Sequence, residues 1–540
     1  MKTPRSPSAR DPLVKGSAPM REALQRQVMW NRLIALVEEQ AQVLLKTAFG
    51  AITREAGDLS AGVYDARGRM LAQAVTGTPG HVNTMAMAVA HFFERFPPQS
   101  MKPGDVYATN DPWLGTGHLF DFVIVTPAFL DERLVGFFAS TCHVIDIGGK
   151  GFTADATTVY EEGLLVPHMR IVEAGELNAT FFDMLAANVR EPQQVRGDLL
   201  SLISCNAVAA KRLAAMMREF ALESLDAIGE YIVSASREAM LAAVRKLPRG
   251  TWHAEMPLDG YESPVLLRAA LTVHDGGMRI DYAGSSPASR YGINSPKCYT
   301  DAYSMFGVKC AVAPEVPNNA GSLSVVEVVA PRDSIVNPDR PRAVTARHVI
   351  GQMLPELMFG CLEQPLNGRV PAEGAGSIWV LAMSGGPELP GASPSATRFN
   401  AMSVGIGGMG ARPTKDGLST TAFPSGVGSI PVEVTESQSP LIFRRREFLP
   451  GSGGEGRRRG GLGSLMEIAS TEDAPFAISL GTSDRRQFPA RGRAGGKEGG
   501  AGRAYLASGE DLPGKKTYVI PAGEAIVLEL PGGGGYGEPE

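Results

Sequence analysis

Phe122-Val123-Ile124-Val125-Thr126-Pro127-Ala128-Phe129 and Leu134-Val135-Gly136-Phe137-Phe138-Ala139-Ser140-Thr141-Cys142-His143 are the stretches on which the fold turns. Both read as strands. Val123-Ile124-Val125 and Val135-Gly136-Phe137-Phe138 are apolar on consecutive rather than alternate residues, so a sheet built from them must be covered on both faces. The polar chemistry gathers at their ends. Asn110-Asp111-Pro112-Trp113-Leu114-Gly115-Thr116-Gly117-His118-Leu119-Phe120-Asp121 leads into the first strand, and Cys142-His143-Val144-Ile145-Asp146-Ile147-Gly148-Gly149 leads out of the second. Each phrase sets a carboxylate three residues after an imidazole. If the two strands pair, their ends bring the phrases together, and imidazole nitrogen with carboxylate oxygen is a ligand set for Zn²⁺, Mn²⁺ or Fe²⁺. The plainer reading makes His118 a turn cap and His143 a hydrogen-bonded core residue. The doubled His-x-x-Asp pattern favours the metal.

Around these strands the pattern predicts a mixed α/β (α+β) fold. Residues 1–20 are basic and proline-containing with no apolar segment behind them, which predicts a disordered leader and not a secretory signal. Met29, Leu33, Leu36, Val37 and Leu44 recur at helical spacing within a helix expected over 21–50. A hairpin follows over 62–73, a helix over 82–96 and a strand over 105–109. The metal-bearing α/β region is thus expected over 21–177. Residues 178–246, rich in Ala, Leu, Met, Arg and Glu, predict two or three helices broken near Pro192, dividing that region from the rest. A mixed region over 247–384 holds strands at 264–271 and 278–282 and helices at 297–313 and 347–363. Residues 385–540 read as glycine-rich and β-dominated, with Gly532-Gly533-Gly534-Gly535 in a flexible tail.

Composition narrows the function. The 540 residues carry a net charge of −5 with 20% charged residues, which points to neither nucleic acid nor an anionic membrane. No run approaches the length expected of a membrane-spanning helix. The five cysteines are widely spaced without a CxxC pair, as in a reducing compartment, so a cytoplasmic protein is expected.

Other residues invite a role. Asp58, in Asp58-Leu59-Ser60, could join a metal shell, although sequence alone favours a turn cap. His81 could face the same site or pack against its turn. Asp111 and Glu162 are further candidate catalytic carboxylates; the pair Glu161-Glu162 offers a general base or a solvated turn. Gly405-Ile406-Gly407-Gly408-Met409-Gly410 is a weak match to a phosphate loop, since it lacks the lysine and a βαβ frame. Arg457-Arg458-Arg459, set among glycines, suits an anion or a partner's acidic face, or is simply a solvated turn.

Taken together, Asn110-Asp111-Pro112-Trp113, Gly117-His118 with Asp121, His143 through Gly149, Glu162-Gly163-Leu164, Pro317-Asn318-Asn319-Ala320-Gly321, Pro431-Val432-Glu433 and the phrase Gly451–Gly463 resemble the hydantoinase B/oxoprolinase family from about residue 20 to 465. The resemblance implies a partner, an A-type subunit with an actin-like ATPase fold that binds ATP and phosphorylates the substrate's oxygen. The B-type chain then completes hydrolysis or carboxylation at a divalent metal, Mn²⁺ or Zn²⁺. It implies a metal shell of Asp58, His118, Asp121 and His143, with Asp146 orienting His143 or accepting a proton. The expected activity is opening of a hydantoin, lactam or 5-oxoproline-like ring by a hetero-oligomer. The alternatives are a subunit of an acetone- or acetophenone-type carboxylase acting on a ketone, and a non-catalytic scaffold for the ATPase. Two departures from the family pattern bear on the pocket: Gly115-Thr116-Gly117-His118-Leu119-Phe120-Asp121 replaces Gly-Gly-Thr-His-Leu-Pro-Asp, and Ala56-Gly57-Asp58-Leu59-Ser60 lacks the usual Arg and aromatic.

Overall fold

The computed structural model describes residues 18–540 apart from 77 and 377. The leader expected over 1–20 lies outside the described residues as far as 17; Ala18 already begins a helix that runs to Thr47.

The two opening strands are the centre of a seven-stranded antiparallel sheet. Its spatial order is Met70–Gln73, Leu59–Asp65, Arg133–His143, Asp121–Leu130, Val106–Thr109, Met169–Glu173 and Glu176–Leu177. Both faces are covered, as consecutive apolar residues require. On one side Val63, Ile124 and Phe138 meet Leu33, Leu36 and Val37 of helix Ala18–Thr47 and Leu199 and Leu202 of helix Pro192–Glu219. On the other, Tyr107, Val123, Val125 and Phe137 meet Met85, Val89 and Phe92 of helix Pro79–Arg95.

Residues 178–246 form three helices, Ala179–Asn188, Pro192–Glu219 and Asp226–Val244, and the second starts at the proline expected to break them. They do not divide the chain. Helix Pro192–Glu219 shares the core of the first sheet, so this segment is a layer of the N-terminal body. The same helix is long and apolar enough to cross a membrane, against expectation. Its leucines and Cys205 are buried on the sheet, which explains that composition without a bilayer.

A second sheet, in the order Val326–Val329, Gly277–Asp281, Val265–His274 and Gly250–Leu258, packs on helix Leu354–Leu362. The helix expected over 347–363 is two pieces, His348–Gly351 and Leu354–Leu362, with Pro355 in the first turn of the second.

The β-rich region begins earlier than 385, because Trp379–Gly385 pairs with Phe399–Gly405. Two four-stranded sheets enclose Trp379, Leu381, Phe476, Ile478, Ile526 and Leu528. The alternate residues Val380 and Val404 face the other way and join the core of the first sheet. One hairpin therefore closes two bodies, and the functional cavity lies at that seam.

The flexible tail is a correction. Gly532, Gly533, Gly534 and Gly535 are buried in a bundle of unassigned segments joined by backbone hydrogen bonds. Gly533 N donates to Gly461 O at 2.9 Å, Gly461 N to Met409 O at 2.8 Å and Gly454 N to Gly533 O at 2.8 Å. A Cβ on Gly460 would lie 1.9 Å from Gly533 O. Glycine here supplies room for backbones to touch, the requirement that also sets glycine on collagen's axis. Gly408 and Gly410 belong to this bundle, so the phrase Gly405–Gly410 is packing and no phosphate loop.

Candidate functional site

Register brings the two phrases together. Asp121 opens strand Asp121–Leu130 and pairs with His143, the last residue of Arg133–His143. Leu59 pairs with Cys142 on the far side, which sets Asp58 at the same end of the sheet. His81 enters from the first turn of helix Pro79–Arg95.

These side chains meet around Asp121. Its Oδ2 lies 2.8 Å from His81 Nε2, 3.0 Å from His118 Nε2 and 2.6 Å from Arg347 Nη2, and its carboxylate is fully buried. Burial raises its pKa, but His118, His81 and Arg347 beside it outweigh that and hold Asp121 well below the usual carboxylate range. His118 Nδ1 donates to Thr345 O at 3.0 Å. That tautomer leaves Nε2 with a lone pair aimed at a carboxylate, an arrangement that calls for a cation or a proton between them. Asp58 Oδ1 accepts from Thr78 Oγ1 at 2.6 Å and lies 3.3 Å from His81 Nδ1. The His81 contact is close but not aligned as a hydrogen bond, since His81 Nδ1 is buried without a partner.

Burial and then Arg347 lower His118 to about 4; burial and then His118 lower His143 to about 4. Both are neutral near pH 7, the form that ligates a metal. His81 goes the other way. Burial lowers it, but Asp121 and Asp58 together outweigh that and raise it.

A small cavity of about 40 Å³ opens on this cluster, and Asp58, His81, His118, His143, Arg347 and His348 form its polar end. Ile52, Ile378, Val380, Met402, Val404 and Val427 form the other end. Phe152 also lines the cavity, 5.3 Å from His143 by ring centroids.

The donor set fits a divalent cation in kind. His118 Nε2, His143 Nδ1 and Asp121 Oδ1 are buried atoms with no hydrogen-bond partner, and unpaired polar atoms are costly unless something completes them. Among the described residues, no group of three or more His, Cys, Asp or Glu side chains has the spacing to enclose an ion. Arg347 and His81 already occupy Asp121 Oδ2 in this arrangement.

The three carboxylates expected to be catalytic lie elsewhere. Asp146 turns away from His143. Its Oδ1 accepts from Arg190 Nη1 at 2.7 Å and Gly148 N at 3.1 Å, and it lines a neighbouring cavity with Lys150 and Arg190. It therefore neither orients His143 nor faces the polar cluster. Asp111 closes its own turn through Trp113 N at 2.9 Å and pairs with Arg340, which stacks on Trp113. Glu162 is buried, not a solvated turn. Its Oε1 accepts from Val344 N at 2.6 Å and Thr345 N at 2.7 Å, and burial raises it to about 7. It holds the segment whose Thr345 carbonyl orients His118.

Arg347 and His348 are the residues the sequence reading missed. The signal was present: two basic residues interrupt the apolar run Ala343–Ile350. Gly117, at φ +98°, lets Arg347 pass, because a Cβ there would meet Arg347 Cδ at 2.5 Å. Arg457, Arg458 and Arg459 are exposed and far from this chemistry in the chain's glycine bundle; the backbone of Arg458 pairs with Tyr536.

Comparison with known proteins identifies the family. The profile of the hydantoinase B/oxoprolinase family matches residues 22–539. A Pseudomonas sp. protein named as the B-type subunit of a D-/L-hydantoinase is 28% identical over 95% of this chain and 89% of its own length. A 5-oxoprolinase of Pestalotiopsis fici is 27% identical over 95% of this chain, which spans only 41% of that protein. In fold, the ATP-dependent caprolactamase of Pseudomonas jessenii superposes with a TM-score of 0.85 at 23% identity, covering 96% of this chain and 91% of that one. An acetone carboxylase chain gives 0.83 at 20% identity, covering 96% and 76%. The chain belongs to the hydantoinase B/oxoprolinase family.

Proposed function

We propose that this member of the hydantoinase B/oxoprolinase family is the B-type subunit of an ATP-dependent amidohydrolase, opening a small cyclic amide that an A-type partner has phosphorylated. The observation that carries the reading is the convergence of Asp58, His81, His118, Asp121 and His143 on one buried cavity. An unstrained amide resists water through resonance, and phosphorylation of its oxygen removes that resonance. Water then adds at that carbon, the ring nitrogen leaves with a proton, and a second water cleaves the remaining acyl phosphate to the ring-opened acid and phosphate. ATP belongs to the partner in this scheme, and the exposed Arg457–Arg459 edge is a candidate surface for docking it.

Asp58, His118, Asp121 and His143 are the residues proposed to hold Mn²⁺ or Zn²⁺. Such an ion supplies Lewis acidity and lowers the pKa of bound water. The chain's own groups divide the remaining work. Arg347 fixes Asp121, and Thr345 O fixes the His118 tautomer. His81, biased towards its protonated form by Asp121 and Asp58, is the residue proposed to give a proton to the ring nitrogen as the C–N bond opens. Phe152 and the apolar wall exclude water from the reacting centre.

The test is co-expression with an A-type subunit, followed by an assay of ATP-dependent ring opening against hydantoins and lactams. Turnover by the complex, absent from either subunit alone and lost in His118→Ala, supports the reading. ATP-dependent carboxylation of a ketone without ring opening favours the carboxylase alternative, whose fold the acetone carboxylase shares. Unchanged turnover in His118→Ala favours the scaffold.

A further inference from the structure

We infer that Arg347 is a resident cation at the proposed metal site: its guanidinium holds the carboxylate of Asp121 that a divalent ion needs, so an ion loads only against it. The inference rests on the ligand set given above and adds the residue that governs its occupancy.

Three nitrogens converge on one oxygen. Asp121 Oδ2 lies 2.6 Å from Arg347 Nη2, 2.8 Å from His81 Nε2 and 3.0 Å from His118 Nε2. Oδ2 is thus the oxygen that faces His118, and an ion shared by these two ligands has to take the place of another partner. Oδ1 has no partner, yet an ion held there would still stand beside the guanidinium. The charge count points the same way. The proposed ligands include two carboxylates, Asp58 and Asp121, and Arg347 neutralises the second before any ion arrives. In a buried site, where charges are poorly screened, a dication is then attracted less and repelled by a fixed positive neighbour.

The chain is built to keep the arginine there. Arg347 is buried, its Nε donates to Thr116 O at 2.7 Å, and its guanidinium lies 4.1 Å from the centre of the Tyr299 ring. Gly117, at φ +98°, leaves the space that the side chain crosses. Among the described residues Asp121 is its one ion-pair partner. An ion that takes Asp121 therefore leaves a buried guanidinium with only a carbonyl and a ring, and that cost weakens the ion's binding.

A purely supporting role has the opposite consequence. An arginine that only orients Asp121 strengthens the site, and its loss weakens ion binding. The sign of one change in affinity separates the two roles.

Mn²⁺ and Zn²⁺ titrated separately into the metal-stripped full chain, followed by calorimetry, need neither partner nor turnover. Arg347→Met removes the charge and keeps an unbranched side chain, and should bind the ion about tenfold or more tightly than the wild type. Damage to the fold would not tighten binding. Arg347→Gln, neutral but with a donor left for Asp121, gives the same reading if Arg347→Met does not fold. Adding His118→Ala to the neutral variant should abolish the gain. Equal or weaker binding by the neutral variants overturns the inference and leaves the ligand set standing. A gain that survives His118→Ala also overturns it, because the ion then lies elsewhere. If neither the wild type nor a neutral variant takes up an ion, the ligand set falls and the inference with it.

Discussion

At the ends of the central strands buried side-chain polar atoms are left without partners, whereas in the glycine bundle of residues 405–540 backbone polar atoms find each other. His118 Nε2, His143 Nδ1 and Asp121 Oδ1 lie in the first group. Met409 O, Gly461 N, Gly533 N and Gly454 N lie in the second, linked at 2.8–2.9 Å. Both regions exclude water, but one uses side chains and the other only backbone. The bundle is closed in that these backbone donors and acceptors are paired with one another. The strand-end cluster is open chemistry, held in place by Arg347, Thr345 and Glu162 rather than by its own mutual satisfaction. Stability and reactivity are thereby assigned to different parts of the chain.

The largest expected effect separates the two regions by activity. His118→Ala and His143→Ala should each lower ring-opening activity of the assembled complex on the order of 1,000-fold. Each should also lower unfolding free energy by about 1–3 kcal/mol, because a buried ring and, at His118, its bond to Thr345 O are lost. Kinetics beside urea unfolding checks both halves, and elemental analysis should find the divalent metal diminished. Undiminished metal in both variants would falsify the proposed ligand set.

The complementary change belongs to the bundle. Gly460→Ala forces a methyl to within 1.9 Å of Gly533 O, and no flexible side chain is there to yield. The expected cost is about 3 kcal/mol or more. Turnover per folded molecule should stay near wild type. A variant as stable as the wild type would show that the bundle has slack, and that its glycines serve something other than close packing.

Much of this division was legible in the chain. Consecutive apolar residues gave the doubly covered sheet, and His-x-x-Asp at two strand ends gave the cluster, because strand register is a local property that periodicity reports. Asp58 and His81 could be named but not placed, since their approach depends on a turn and a helix start. Asp146 misled for the same reason: spacing from His143 cannot reveal that Arg190, forty-four residues on, takes its carboxylate. The apolar wall was illegible, because Val380 and Val404 look like any alternating strand until a second body is packed against them. Four glycines near the chain's end suggested mobility, and only the facing carbonyls show that they were needed for contact.

The cluster's scaffold can be tested through pH. Glu162 has its carboxyl raised from 4.5 to about 7 by burial, so the folded state binds its proton more tightly than the unfolded state. Stability from this group is complete below about pH 4.5 and is lost as pH rises towards 7. Glu162→Gln keeps an oxygen for Val344 N and Thr345 N but does not ionise. It should match the wild type at pH 5 and exceed it at pH 8 by about 1–3 kcal/mol in urea unfolding. The other raised carboxyls, Glu356 among them, act alike in both proteins and cancel in the difference. A constant offset across this range would mean that Glu162 ionises as freely in the folded chain as in the unfolded one.

The smallest effect on the chain itself is expected at Arg457, Arg458 and Arg459. All three side chains are exposed, and among the described residues none has a carboxylate partner. Their backbone is nonetheless fixed: Arg458 N donates to Tyr536 O at 2.9 Å, Arg458 O accepts from Tyr536 N at 2.9 Å, and Arg459 N donates to Asp416 Oδ1 at 3.0 Å. Three guanidinium groups on a rigid edge lose little order when they meet planar carboxylates, which suits an acidic face on the A-type partner. Replacing all three with alanine should shift unfolding free energy by less than about 0.5 kcal/mol, since no intramolecular ion pair is lost. Assembly with the partner should weaken about tenfold and become less sensitive to salt. Sedimentation or light scattering at two ionic strengths measures both. If the variant assembles as tightly as the wild type at each, the closed region contributes rigidity alone, and the partner must dock on a surface nearer the open one.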